Sequence, residues 1–175
     1  MTKSSPPDWA VAIAIGEARS SSCGRSKRGA CAWYKDGDRT VSAVGRNYAP
    51  LSSGRPVTSD RNYAPLSLGA PCDKSNECKA TCGKRLLHAE EDALLKLGPI
   101  PKGLDASMLH VKIGAKSSVW DAVPSGEPSC PECAKLMLVA GFKEMWLLHE
   151  SPRNWQVYKT DMFYMKTLEN LGLWR

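Results

Sequence analysis

Two short stretches of the sequence combine residue types that could bind a metal ion and move a proton. The first, LLHAEEDALLK (86–96), places His88 two positions before Glu90 at the start of a predicted amphipathic helix. Residues two apart lie on nearly opposite faces of a regular helix, so a shared site would need the looser geometry of the first turn. The second, PSCPECAKLM, places Cys130 and Cys133 at the start of another predicted helix.

These residue types suit a catalytic zinc ion. Zinc binds imidazole nitrogen and thiolate sulfur, and Cys-x-x-Cys spacing at a helix start lets both sulfurs approach one ion. The positive end of the helix also favours thiolate over thiol. With His88, Cys130 and Cys133 as ligands, a fourth position is left for water, whose pKa then falls to roughly 7. Glu90 is placed to take a proton from that water and pass it to a leaving group.

Each motif also has an ordinary structural interpretation. A single Cys-x-x-Cys is often structural, and His-x-Glu occurs by chance in many helices. Two motifs, each at a helix start and with a strand between them, favour catalysis. The remaining histidines, His110 in the middle of a predicted strand and His149 at the end of another, are predicted to be structural.

Length and composition indicate one folded domain spanning residues 1–175, with 42% hydrophobic and 24% charged residues. The chain starts with polar MTKSSPPDW, and the apolar run that follows is short and interrupted by Glu17. We therefore expect no signal peptide, no membrane span and a cytoplasmic location. The net charge of +6 fits a phosphate-bearing partner, either a nucleotide or a nucleic acid, although solubility alone would also explain it.

The hydrophobic patterns predict the element order α-β-β-α-β-α-β-α. Helices are predicted at 8–19, 86–96, 130–141 and 157–172, and strands at 29–35, 40–46, 106–113 and 142–148. Asp36-Gly37 between the first two strands is a strong hairpin signal. This order predicts a mixed sheet with helices on both faces, whose last β-α-β unit is a right-handed parallel crossover.

Residues 47–83 are predicted to form a long loop, because they are rich in Pro, Ser, Gly and Cys. Such a loop is usually functional or held in place by something. It contains a repeat, since RNYAPLSSG (46–54) returns as RNYAPLSLG (61–69). Two copies are too few for a solenoid, so we interpret the repeat as a tandem duplication in a tolerant surface loop. The alternative is that both copies of the repeat contact the substrate.

The ordered motifs resemble the zinc-dependent cytidine deaminase superfamily, in which H-x-E is followed by P-C-x-x-C. More narrowly, they resemble the deoxycytidylate (dCMP) deaminase branch, with Cys-x-Arg, Gly-x-Asn-x-x-Pro, His-Ala-Glu and Cys-x-x-Cys-Ala-Lys. Here these motifs lie at 23–25, 45–50, 88–90 and 130–135. The sequence departs from the pattern at Ser129, which separates Pro128 from Cys130, and at Arg28, where the branch usually has an apolar residue.

The resemblance implies a three-layer α/β/α cytidine deaminase-like sandwich with a mixed sheet of the five-stranded type. It implies that His88, Cys130 and Cys133 bind zinc and that Glu90 is the proton shuttle. The implied reaction is hydrolytic deamination of a cytosine nucleotide, dCMP or a 5-substituted dCMP. A homo-oligomer is implied as well.

The resemblance also suggests how the substrate is held. Asn47 and the backbone of Ala89 would orient the sugar and the base. Asn62, in the second copy of the repeat, is the rival of Asn47. Arg25 is the candidate for the 5′-phosphate, with a surface salt bridge as its alternative role.

The seven cysteines suggest ligands or core thiols rather than disulfides in a reducing compartment. Cys72, Cys78 and Cys82 lie in the long loop, and some relatives in the branch carry a second, structural zinc that such residues could bind. Cys23 is the candidate fourth ligand, and free thiols are the alternative. Cys31, on an alternating strand, is predicted to be a core thiol.

Two other functions stay open. The same chemistry could act on single-stranded DNA or RNA, because the basic charge and the loop residues Trp120 and Trp155 suit a polynucleotide. Alternatively, the chain could be a zinc-stabilised binding or scaffold module. Glu90 argues against the second alternative, because a purely structural zinc site does not need it.

Overall fold

The computed structural model describes residues 5–21, 23, 26–48, 87–114, 122–125, 127–128, 130–150 and 154–174. Within them the chain forms four helices and six strands. In chain order these elements are α1 (Asp8–Arg19), β1 (Lys27–Asp36), β2 (Arg39–Arg46), α2 (Ala89–Leu97), β3 (Ala106–Ile113), β4 (Ala122–Val123), α3 (Pro131–Val139), β5 (Phe142–Glu150), β6 (Asn154–Lys159) and α4 (Thr160–Asn170).

The strands form one mixed sheet, with β2, β1, β3, β5 and β6 side by side and the short β4 paired with β3. β1 is antiparallel to β2 and to β3, β5 is parallel to β3, and β6 is antiparallel to β5. The predicted hairpin is present, with Gly37 in its turn at φ +59°, a conformation that favours glycine. The parallel pairing predicted for the last β-α-β unit is confirmed.

Alternate residues of the strands face two separate hydrophobic layers, so helices cover both faces of the sheet. One layer joins α1 to the first face of β1 and β3, with Ala10, Ala14, Ala18, Cys31, Trp33, Leu109 and Val111. The other joins α2, α3 and α4 to the opposite face, with Ala89, Ala93, Ala134, Met137, Phe163, Ala30, Met108 and Met145. The α/β class and the three-layer arrangement are therefore confirmed.

Two glycines allow helices to lie directly on the strands. A Cβ atom on Gly45 of β2 would overlap the backbone of Ala89 and Ala93 in α2. A Cβ atom on Gly29 of β1 would overlap the backbone of α1 at Ala14. Any side chain at either position would push a helix away from the sheet.

The last predicted helix starts too early in the sequence-based assignment. Residues 157–159 belong to β6, and α4 begins at Thr160. Trp155, Val157 and Tyr158 are strand-forming residue types, and pairing with β5 fixes them in an extended conformation. Trp155, predicted to lie in a loop, is therefore part of β6.

The short strand β4 is not among the elements predicted from the sequence. The two-residue strand β4 was predicted as loop, and it pairs with Lys112 and Ile113 of β3, beyond the last β3–β5 pair at His110. Among the described residues, no helix combines the length and the apolar character needed to cross a membrane.

Candidate metal and catalytic site

His88 and Glu90 can serve one site because His88 is not itself helical. His88 is the N-cap of α2, with extended φ and ψ of −75° and 156°. Its backbone N–H donates to the Glu91 carboxylate at 2.8 Å, as in a capping box. Glu91 therefore caps the helix, while the His88 imidazole and the Glu90 carboxylate stay available for chemistry. Leu87, the preceding residue, is tied to Tyr48 by two backbone hydrogen bonds of 2.9 and 3.2 Å.

Cys130 and Cys133 are placed by the start of α3. Cys130 is the N-cap, and Pro131 follows as the first helical residue, a position that tolerates the missing N–H of proline. The Cys130 Sγ atom accepts a hydrogen bond from the Cys133 backbone N–H at 3.4 Å. Both sulfurs thus lie at the positive end of the α3 dipole, which stabilises thiolate.

The three predicted ligands converge. His88 Nδ1 lies 3.2 Å from Cys130 Sγ and 3.2 Å from Cys133 Sγ, and the two sulfurs are 3.2 Å apart. Among the described residues, these three form a group of metal-ligand atoms close enough to share one ion. One imidazole and two thiols fit the ligand preference of zinc, whose bonds to nitrogen and sulfur are about 2.0 and 2.3 Å long.

The protonation of this group also suits a cation. Hydrogen bonds from Cys133 and His88 lower the pKa of Cys130 to about 6, against the opposing effect of burial. The hydrogen bond with Cys130 raises the pKa of His88 to about 9. The hydrogen bond with Cys130, together with burial, raises the pKa of Cys133 far above its ordinary value. Metal binding requires all three groups to be deprotonated, so a cation would displace the protons of His88 and Cys133.

Glu90 is largely buried beside these ligands, with 13% of its side chain exposed. Burial alone would raise the pKa of Glu90, but His110 when protonated, the backbone N–H of Glu90, His88 and Arg28 together hold it below its ordinary value. Burial lowers the pKa of His110 to about 4, so this imidazole is neutral near pH 7. The permanent positive charge in this group is therefore that of Arg28.

Asn47 joins three segments at the edge of the site. It is 5% exposed. Its Oδ1 accepts hydrogen bonds from Ser21 Oγ at 2.7 Å and from the Arg28 backbone N–H at 2.8 Å, while its Nδ2 donates to the Ser26 carbonyl at 2.8 Å. Asn47 thus ties the segment after α1 and the start of β1 to the end of β2. Its contact with substrate stays a prediction.

Asp92 fixes α2 to the rest of the site and was not identified from the sequence. Its buried carboxylate accepts hydrogen bonds from the Arg46 backbone N–H at 3.0 Å, from Tyr48 Oη at 3.2 Å and from Lys96 Nζ at 2.7 Å. The signal was present in the sequence, because an acid on the inner face of an amphipathic helix needs partners if it is buried. These bonds hold the end of β2 against the helix that carries Glu90.

Of the other predicted residues, the structure describes some, and the rest lie outside the described part of the chain. Ala89 is fully buried between His88 and Glu90, and Cys31 is a fully buried thiol, as predicted. Cys23 is a buried free thiol. Arg25, Asn62, Cys72, Cys78 and Cys82 lie outside the described residues, and so does the predicted structural zinc site that includes the last three.

The comparisons with known proteins give a likeness to solved structures. No family model matches the chain. No curated protein matches it either. Among solved structures, the chain is similar to the dCMP deaminase from the cyanophage S-TIM5 in its apo form, with 20% identity over 95% of this chain and 92% of that chain and a TM-score of 0.46. The proposal below rests instead on the geometry of the site and on the sequence motifs.

Proposed function

We propose that this protein is a zinc-dependent hydrolase that deaminates a cytosine nucleotide, dCMP or a 5-substituted dCMP. The observation that carries the proposal is the convergence of His88, Cys130 and Cys133 within 3.2 Å of one another, beside the buried carboxylate of Glu90. Three protein ligands leave a coordination position for water, and Glu90 is the element that a closed structural site would not need.

His88, Cys130 and Cys133 would hold the metal ion. Zinc bound by such ligands supplies the Lewis acidity that lets water react near neutral pH. Hydrolysis replaces the 4-amino group of cytosine with oxygen, and the two protons of the water go to N3 of the base and to the departing ammonia. The Glu90 carboxylate takes these protons from the water and delivers them, so it must be ionised when the substrate enters. The lowered pKa of Glu90 meets this requirement.

Substrate orientation would come from the residues around this centre. The Ala89 backbone lies between the metal ligand and the proton shuttle, where it could hydrogen-bond the base. Asn47 directly follows β2, and the base and sugar would be placed between these two residues. Arg25 would bind the 5′-phosphate, in keeping with the net charge of +6.

We also propose that the protein is a homo-oligomer. Large apolar side chains are exposed on α3 and α4, including Val139 at 81% and Met162 at 61%. Their apolar surface would be removed from water in an assembly. Light scattering on the protein as it elutes from a size-exclusion column measures its molar mass. A monomer mass at all concentrations would contradict the proposed oligomer.

The test is product mass analysis after incubation of the zinc-loaded protein with cytidine, CMP, dCMP, 5-modified dCMP, dCTP and a single-stranded DNA containing cytosine. We expect amino-to-oxo conversion of monophosphates. Glu90→Gln should keep zinc and lose about 10²-fold or more of the rate, because the proton transfer is lost. Glu169→Gln, which removes an exposed acid of α4, is the matched control and should keep full activity.

The other outcomes identify the alternatives. Conversion of the single-stranded DNA alone would show that the protein is a polynucleotide deaminase. Absence of conversion in every substrate, with zinc bound, would favour a binding or scaffold module. Full activity of Glu90→Gln would remove Glu90 from the mechanism.

A further inference from the structure

A part-buried polar cluster lies next to Glu90 and comes from three different segments. Arg28 of β1 places its Nη1 atom 3.3 Å from His110 Nε2 of β3. The other ring nitrogen, His110 Nδ1, lies 3.1 Å from Ser125 Oγ, just after β4. His110 Nε2 also faces Glu90 Oε1 at 3.9 Å, which is contact rather than a hydrogen bond. One nitrogen of the His110 ring, Nε2, therefore contacts both the Arg28 guanidinium and the Glu90 carboxylate.

The bonding pattern fixes the protonation of His110. A guanidinium can only donate, so the Nε2 atom of His110 must accept from Arg28. The proton of the neutral ring is then on Nδ1, which donates to Ser125 Oγ. The lowered pKa of His110 agrees with this neutral form.

Both partners of His110 are anchored. The Ser125 backbone N–H donates to the Leu148 carbonyl at 2.8 Å, which attaches it to β5. The Arg28 Nε atom donates to Ser26 Oγ at 3.1 Å. The ring is therefore held from both sides, and its edge toward Glu90 cannot move without breaking one of these bonds.

Simple packing does not explain this cluster. His110 is 2% exposed and its contacts with Arg28 and Glu90 are part-buried, and placing polar and charged groups there costs more than placing apolar residues of similar size. The neighbouring strand pair on the other face of the same sheet, Cys31 and Leu109, is apolar. A buried histidine that is hydrogen-bonded to an arginine points to a role at the site on this face.

The Glu90 carboxylate could form a competing ion pair with Arg28. Apart from the hydrogen bond with its own backbone N–H, the described residues show no hydrogen bond that would hold its carboxylate in place. The Arg28 guanidinium contacts the same His110 nitrogen that Glu90 Oε1 faces, and its positive charge acts on the Glu90 carboxylate. A direct Arg28–Glu90 ion pair would bind the carboxylate firmly and turn it away from a substrate.

We propose that His110 is a positioning residue that binds the Arg28 guanidinium and keeps it from pairing with Glu90, so that the carboxylate keeps its orientation toward the metal ligands. The Nε2 atom of His110 occupies the Arg28 donor that would otherwise pair with Glu90. This inference rests on the proposed function, because it assigns a purpose to keeping Glu90 free.

Three variants of the zinc-loaded protein test the proposal. His110→Ala should lower kcat by about 10²-fold while KM and zinc content stay near wild type, because the shuttle is misplaced. His110→Gln keeps an acceptor for Arg28 near the Nε2 position and should retain most activity. The double variant His110→Ala with Arg28→Met removes the competing cation as well, and should recover about tenfold of the lost kcat.

Recovery in the double variant is the decisive outcome, since a purely structural role of His110 predicts additive losses. Arg39→Met, which removes an exposed arginine of β2, is the control for loss of charge. Unchanged kcat in His110→Ala, or a double variant that is less active than His110→Ala, would overturn the proposal. If His110→Ala does not fold, Ser125→Ala releases the same ring by removing its Nδ1 acceptor, and Arg28→Met should then rescue that variant.

A structural readout separates this inference from the proposed function. Crystal structures of wild type and His110→Ala should show the Arg28 guanidinium in contact with the Glu90 carboxylate in the variant alone. A carboxylate that keeps its wild-type position would overturn the inference even if the enzyme is a deaminase. A new ion pair in the variant, in a protein that deaminates none of the cytosine substrates, would support the inference while rejecting the proposed function.

Discussion

Two cysteines on opposite sides of the sheet have opposite chemistry. Cys31 of β1 points into the layer formed with α1, where burial raises its pKa to about 12. Cys130 caps α3 on the other side, where hydrogen bonds from Cys133 and His88 lower its pKa to about 6. The first cysteine behaves as a small apolar side chain, and the second is a thiolate at neutral pH. The surroundings, not the residue type, determine which cysteine can bind a metal.

The same contrast extends to the strands. In β1 and β3, the pair Cys31 and Leu109 contributes to the apolar layer under α1, and the next pair along, Ala30 and His110, faces α2 and α3. The face that α2, α3 and α4 cover is mostly apolar, and it becomes polar near the N-termini of α2 and α3. The layer under α1 is therefore part of the apolar core, while the polar end of the other face contains the proposed site.

Replacing Cys31 or Cys130 by serine tests the contrast between the two cysteines, and of the tests described here it should give the largest effect on activity. Cys130→Ser should abolish zinc binding and deamination, because serine replaces a thiolate ligand. Cys31→Ser should keep both and lose about 1–3 kcal/mol of unfolding free energy, because it places a hydroxyl in an apolar layer. Metal analysis, activity and urea unfolding measure these outcomes. Wild-type zinc content in Cys130→Ser would contradict its role as a ligand.

The two glycines that seat the helices allow a matched comparison with a smaller effect. Gly45→Ala and Gly29→Ala both force a Cβ atom into a helix backbone, so each should cost about 1–3 kcal/mol of stability. Only Gly45→Ala should also lower kcat of the folded protein, because α2 carries Glu90 and is capped by His88. Activity is measured well below the unfolding transition of each variant. An equal loss of kcat in Gly29→Ala would show that the two faces are not independent.

The fold was predictable where local patterns agree with the tertiary structure. The Asp36-Gly37 hairpin, the strand of 106–113 and the helix start at His88 follow from turn residues and periodicity. The second half of β6 (157–159) was assigned to a helix, because the residues after it continue a helical pattern, and its strand conformation depends on pairing with β5. β4 has two residues, too few for any pattern.

The predicted zinc ligands and Glu90 could be proposed from the sequence because their spacing reflects local geometry at two helix starts. The cluster of Arg28, His110 and Ser125 could not be, because its members come together only through pairing of β1 with β3. His110 was predicted to be a structural histidine, and the bonds that connect it to Arg28 have no sequence signature. Arg28 was the one clue, since it stands at a position that is usually apolar in the branch that the sequence resembles.

A third test distinguishes the two faces by the pH dependence of stability. The native pKa of His110 is about 4, against an ordinary value of 6.5, so between these pH values the unfolded chain binds a proton that the native protein does not. Stability should therefore rise with pH across this window, by up to about 3 kcal/mol, at roughly 1.4 kcal/mol for each unit of pKa shift. Urea unfolding of the zinc-loaded protein at a series of pH values measures this slope. His110→Gln should lose that part of it, whereas Cys31→Ser should keep it, because the thiol of Cys31 does not titrate there. An unchanged slope in His110→Gln would show that other groups, Glu90 among them, account for the acid sensitivity.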